Sequence, residues 1–210
     1  TDEPTEPPGV ETPPPSPTPS RGPELAVHVT GLFGLALASD PLPTSFGVGA
    51  QLGTDLAFVR GGLLTLWLRP TFLASGLALS RWGLGLGGGY RLRRGRFEMP
   101  TSLAARFEPV VIADLDGLRR EDQTVDRLPP LWGAHLSAAP GVRVGPAKRL
   151  RVGARIDLSY LVAARDGVGT PKIYELQDDG TRELAARVGG GELALGLDLA
   201  YWFSLRPKTH

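Results

Sequence analysis

The sequence predicts an all-β protein in which eight antiparallel strands close into an up-and-down, membrane-spanning β-barrel behind a disordered, proline-rich N-terminal tail. Three observations predict it. Apolar residues recur at every second position in eight successive runs; the apolar side of each run is free of charge, amide and histidine; and the connections alternate between short and long. Composition bounds the rest. The 210 residues include 28 glycines, 20 prolines and no cysteine, and 23 basic side chains meet 22 acidic ones for a formal charge of +1. So even a balance argues against a nucleic-acid partner. The missing cysteines exclude disulfide scaffolds, cysteine-ligated zinc and thiol catalysis. No apolar run approaches the roughly 18 residues a membrane helix needs, so any crossing is made by strands.

Residues 1–23 stand apart, with nine of the prolines and the acids Asp2, Glu3, Glu6 and Glu11. Such a segment buries too little apolar area to offset chain entropy, and a semi-extended tail is expected. A spacer or a partner-binding polyproline segment are the two roles it suits. The start lacks both methionine and an apolar leader, as expected if a secretory signal has been removed.

The barrel is expected over residues 24–205, with 206–210 a short extension. In the first run Leu25, Val27, Val29, Phe33, Leu35 and Leu37 oppose Ala26, His28, Thr30, Gly34 and Ala36. In the second, Phe46, Val48, Ala50, Leu52, Leu56 and Phe58 oppose Gly47, Gly49, Gln51, Gly53 and Asp55. Leu64, Leu66, Leu68 and Phe72 alternate with Thr65, Trp67 and Arg69; Trp82, Leu84, Leu86, Tyr90 and Leu92 with Arg81, Gly83, Gly85 and Arg91. The fifth run sets Phe97, Met99, Leu103, Phe107 and Val111 against Glu98, Ser102, Arg106 and Glu108. The sixth sets Trp132, Leu136, Val142 and Val144 against His135, Ser137 and Arg143. Leu150, Val152, Ile156, Leu158 and Tyr160 oppose Arg151, Arg155, Asp157 and Ser159, and finally Leu193, Leu195, Leu197, Leu199, Tyr201 and Phe203 oppose Ala194, Gly196, Asp198 and Trp202. Pro140 interrupts the sixth run beside Gly141, where a β-bulge is expected.

Which face points outward decides the class. A soluble, lipocalin-like carrier would turn the leucines inward and show water a face rich in Lys, Glu, Thr and Ser. The second face is instead mostly glycine and alanine with sparse charges, which suits a narrow polar lumen. Lipid also explains the purity of the apolar face, since Lys or Arg at the bilayer midplane costs about 2–4 kcal/mol. Arg60-Gly61, Arg94-Gly95-Arg96 and Gly145 to Arg149 are tight turns, whereas the other connections run to seven residues or more. With the tight turns in the periplasm, the outward aromatics fall into two girdles: Phe58, Tyr90, Phe97, Tyr201 and Phe203 at one end, and Phe46, Phe72, Trp82, Trp132 and Tyr160 at the other.

With these features the chain resembles the small eight-stranded outer-membrane barrels of the OmpA/OmpX type, in architecture and without a specific family match. The resemblance covers about residues 24–205. It implies a Gram-negative outer membrane, both termini periplasmic, and a terminal aromatic signal that Leu199, Tyr201 and Phe203 supply; Ser204 to His210 run on past it.

Inside, Arg69, Arg81, Arg91, Arg106, Arg143, Arg151 and Arg155 face Asp55, Glu98, Glu108, Asp157, Glu192 and Asp198, a balance that reads as a structural salt-bridge ladder with a narrow ion path as the alternative. Folding the sixth and seventh runs together sets His135 opposite Ser159 and Ser137 opposite Asp157, the one catalytic candidate. Its His-x-Ser spacing is similar to that of outer-membrane lipid A deacylases, but both residues fall on the glycine face, so a packed interior network is the preferred reading. His28 reads as a packed residue; no metal site or cofactor is expected. The expected role is structural, adhesive or interacting, without a wide pore. The alternatives are a lipid-modifying enzyme and the soluble carrier. Expected partners are outer-membrane lipid, a periplasmic partner through residues 1–23 and a surface partner through loops 117–130 and 164–191, where Lys172 to Leu176 and Thr181 to Val188 should form a ribbon about Asp179-Gly180.

Overall fold

A strand whose two faces differ this sharply is stable only if each face meets its own solvent, and a closed cylinder provides both. The computed structural model describes residues 22–37, 45–74, 78–114, 130–163, 172–176, 182–187 and 189–205. The strands are β1 (Glu24–Leu37), β2 (Ser45–Ala57), β3 (Gly62–Ala74), β4 (Ala78–Arg94), β5 (Phe97–Asp114), β6 (Leu131–Ala138), β7 (Gly141–Val144), β8 (Leu150–Ala163), β9 (Lys172–Leu176), β10 (Arg182–Arg187) and β11 (Gly190–Ser204). Neighbours pair antiparallel in chain order from β1 to β5. β5 then pairs with both β6 and β7, these with β8, β8 with β11, and β11 with β1. The wall therefore has eight strands, β6 and β7 being two parts of the sixth. Closure runs from Leu25↔Phe203 to Leu37↔Gly191 without a break. No strand of the described wall is left with an open edge for hydrocarbon to desolvate.

The tight turns share one rim with both ends of the barrel chain. Gly61 (φ 88°), Gly95 (φ 62°) and Gly145 (φ 80°) adopt left-handed conformations there, where a Cβ would be strained. The Leu205 N–H donates to the Pro23 carbonyl at 3.1 Å, tying the chain ends together. The expected ribbon exists as a separate two-stranded sheet, β9 with β10, from Arg182↔Leu176 to Arg187↔Lys172. The tail (residues 1–21), the turn residues 177–180, most of loop 117–130, residues 206–210 and the side chains of Phe46 and Val111 lie outside the described residues.

The bulge expected at Pro140 is absent. Across the break between β6 and β7 the pairings keep one register, from Ala138↔Ile156 to Gly141↔Gly153 on one side and from Thr101↔Ala138 to Glu98↔Gly141 on the other. The ladder loses bonds there without slipping. Ala139 N–H donates to the Pro100 carbonyl at 2.9 Å and Ala154 N–H to the Pro140 carbonyl at 3.0 Å, but neither proline can return the bond. In place of the Pro100 N–H, Arg151 Nη1 donates to the Ala139 carbonyl at 3.1 Å. The bulge lies instead between β4 and β5, where the register shifts between Trp82 and Leu84 beside Pro109.

Outward leucines, valines and aromatics are exposed along every wall strand, Leu52 at 54%, Leu66 at 54% and Leu197 at 78% among them. Such a surface is unsustainable in water at about 1.5–3 kcal/mol per large apolar side chain, and is the natural outside of a barrel in hydrocarbon. A soluble carrier needs the reverse arrangement. The conventional apolar core is small: Ala26, Ala57, Leu63 and Trp202 pack together at the short-turn end, and Leu131 and Leu161 are fully buried towards the other.

Candidate functional site

Period-two alternation aims every second side chain of eight strands into one cylinder, so the lumen collects what the outer face excludes. The expected inward charges are gathered there. Asp55, Arg69, Arg81, Glu98, Arg106, Glu108, Arg143, Arg151, Arg155, Asp157 and Asp198 are buried, and Arg91 and Glu192 are partly so. They form linked tiers. Near the long-loop end, Arg81 meets Glu192 (2.5 Å) and Glu108 (3.4 Å), while Arg106 pairs with Glu108 and, at 2.9 Å, with Glu192. In the middle, Asp157 is held by Arg69 and by Arg155 (2.9 Å), and Arg69 also donates to Gln51. Towards the short turns Arg151 joins Asp198 to Glu98, and Arg143 pairs with Glu98.

The final tier contains a residue that the parity of the first run permits but the list of inward charges omits. Glu24 shares its face with Ala26 and His28, and it meets Arg91 at 2.6 Å, Arg143 at 3.4 Å and Arg93 at 4.0 Å. With Glu24, the ion pairs of the described residues join eight arginines, Arg93 at the rim included, to six carboxylates, and the seventh, Asp55, lies against His28 at 3.7 Å. A buried charge is tolerated only with such partners, and removing one partner of a pair typically costs about 3–5 kcal/mol.

Two inward tryptophans also gained their role only on closure. Trp202 lies under two guanidinium groups, Arg91 at 4.4 Å and Arg143 at 4.9 Å from its ring centre. Trp67 lies 5.2 Å from Arg69 and 4.7 Å from the His135 ring. Gly85 of β4 makes room for it: a Cβ there would stand 2.1 Å from Trp67 Cε2. The glycine face is thus the socket for the bulky half of the lumen.

The catalytic candidates are partly brought together. His135↔Ser159 and Ser137↔Asp157 are paired in the register expected. His135 Nδ1 lies 2.8 Å from Ser159 Oγ, and His135 Nε2 lies 3.5 Å from Asp157 Oδ1. Ser137 bonds Ser102 at 2.8 Å, away from the histidine. Ser159 Oγ also accepts from Arg106 Nη1 at 2.8 Å, a bond that competes for the lone pairs a nucleophile needs. All four candidates are buried in the wall of the lumen. His28 is buried 3.7 Å from Asp55 and 3.9 Å from Asp198. Among the described residues no group of His, Asp and Glu is arranged to hold a metal ion.

Free space in this part of the lumen is of water size. A cavity of about 30 Å³ among Leu32, Gly49, Arg69, Arg81, Arg106 and Glu192 has room for one or two waters. The girdle aromatics Phe58, Phe72, Trp82, Tyr90, Phe97, Trp132, Tyr160, Tyr201 and Phe203 are all exposed on the outer wall. Tyr201 and Phe203 are in edge contact at 4.8 Å, and Trp132 lies against Phe107 at 4.0 Å.

No protein-family model matches the sequence. No curated protein is significantly similar to it. Solved structures are: the chain superposes on Neisserial surface protein A with a TM-score of 0.53 and 11% identity, covering 87% of this chain and 97% of that one. It superposes on the attachment invasion locus protein of Yersinia pestis, solved with a heparin analogue, with a TM-score of 0.50 and 10% identity, covering 87% and 99%. The chain has the fold of the small eight-stranded outer-membrane barrels, and its outer wall is built for hydrocarbon.

Proposed function

We propose that the protein is a closed outer-membrane barrel whose interior is structural and whose activity is displayed at its long-loop rim, in an adhesive or interaction role. The observation that carries this is the ladder of paired charges that crosses the cylinder in successive tiers, with a cavity of about 30 Å³ among Arg69, Arg81, Arg106 and Glu192. A filled cylinder passes no solute, which leaves the rims for recognition. On this reading the short turns and both barrel ends face the periplasm, where residues 1–23 meet their partner, while loops 117–130 and 164–191, with the β9–β10 ribbon, face outward. The contact of Ser159, His135 and Asp157 is then part of the packing and has no hydrolytic role, because Arg106 and Arg69 already engage its serine and carboxylate.

The cysteine-free sequence makes the orientation directly testable. Single substitutions Asp178→Cys and Arg96→Cys are labelled on intact cells with a membrane-impermeant maleimide. Labelling of the first alone is expected, and labelling of the second on intact cells overturns the orientation. The purified barrel in planar bilayers is expected to show no discrete conductance; stable porin-like steps overturn the closed-lumen reading.

A further inference from the structure

Charge is handled in opposite ways inside the barrel and at its short-turn rim. Each lumen arginine named above has a carboxylate partner. The turns at the short rim contribute Arg60, Arg94, Arg96, Lys148 and Arg149, all exposed. Among the described residues none of these five has an ion-pair partner, and the turns carry no acidic residue of their own. Glu24 and Glu98, at the short-turn ends of β1 and β5, are committed inward to Arg91 and Arg143.

The position of these cations defines what can neutralise them. Immediately above them on the outer wall stand the exposed rings of Phe58, Tyr90, Phe97, Tyr201 and Phe203. Amphipathic rings settle at the level of the headgroups, so the neighbouring cations reach the phosphate layer. Between the β2–β3 turn and the end of β4 lies a cleft of about 340 Å³, lined by Arg60, Arg91 and Arg93 on its polar side and by Phe58, Val59 and Leu92 on its apolar side. The exposed Arg60 guanidinium beside this apolar wall matches a phosphate joined to acyl chains, Arg91 and Arg93 being engaged by Glu24.

We propose that the short-turn rim is a binding surface for the phosphate headgroups of anionic phospholipid in the leaflet it borders. The proposal rests on the reading that the barrel spans a bilayer. Five outward cations spread around the circumference would then form an electrostatic collar that sets how deep the barrel sits and enriches anionic lipid around it.

The test is the lipid selectivity of the full chain reconstituted in phosphatidylcholine vesicles, read by electron spin resonance from spin-labelled phosphatidylglycerol against spin-labelled phosphatidylcholine. A preference for phosphatidylglycerol of about three-fold or more is expected at low salt, falling towards unity near 0.5 M salt, where the screening length is only about 4 Å. The combined variant Arg60→Gln, Arg94→Gln, Arg96→Gln, Lys148→Gln and Arg149→Gln should lose the preference. Neutralising Arg119, Arg120 and Arg127 in a long loop should leave it unchanged. Equal affinity of the native chain for the two lipids overturns the proposal, and this measurement does not depend on any variant folding. Selectivity that survives the five substitutions also overturns it. So does selectivity that emerges only after Asp2, Glu3, Glu6 and Glu11 are made neutral, which would identify the chain's own acidic tail as the occupant. Failure of the protein to insert, seen as loss of heat-modifiable migration, would instead sink the membrane reading.

Discussion

Asp157 shows how a single side chain in this lumen serves several partners. It accepts from Arg69 and Arg155 and stands 3.5 Å from His135. Replacing it by asparagine leaves two buried guanidinium groups without the carboxylate that joins them. Asp157→Asn should therefore destabilise the barrel by about 3–5 kcal/mol in urea titrations of the vesicle-inserted protein. Adding Arg155→Gln should restore part of the loss, because fewer charges are then left unpaired. A loss below about 1 kcal/mol would show that water already solvates the pair and that the network is dispensable.

At the scale of the element, the sixth wall strand is the informative one. Its division into β6 and β7 comes from Pro140 and from Pro100 on the neighbouring strand, each of which removes one ladder donor without changing the register. The gap at Pro100 is covered by Arg151, so a lumen arginine also completes the backbone of the wall. The gap at Pro140 leaves its partner Ala154 donating without receiving. Pro140→Ala supplies that donor and should raise stability by about 0.5–1.5 kcal/mol. An unchanged or lowered urea midpoint would mean that the break is relieving strain elsewhere in the strand.

For the whole molecule, stability depends on matching the outer wall to hydrocarbon. Leu66 is exposed midway along β3, paired with Thr54 and Leu86. Leu66→Arg should cost about 2–4 kcal/mol in bilayers, whereas Val144→Arg, beside the short-turn rim, should cost about 0–1 kcal/mol because its guanidinium can reach the headgroups. Equal costs at the two depths would contradict the membrane placement.

Strand number, the facing of nearly every side chain and the pairing of His135 with Ser159 were legible in the sequence, because parity and turn spacing are local properties that a barrel leaves intact. The bulge at Pro109 and the unslipped break at Pro140 were not, since whether a lost N–H needs an extra residue depends on what lies across the strand; on the neighbouring strand, for example, Arg151 stands over the Ala139 carbonyl in place of the missing Pro100 donor. Nor could the alternation indicate which carboxylate each arginine meets. Glu24 reaches Arg143 across the cylinder, and Trp67 meets Gly85 and His135 from two other strands. The sequence by itself determined which residues face inward, since a period of two sorts them by solvent. Only the closed tertiary structure decided who partners whom, because in a narrow lumen distances are set by curvature and stagger between strands far apart in the chain.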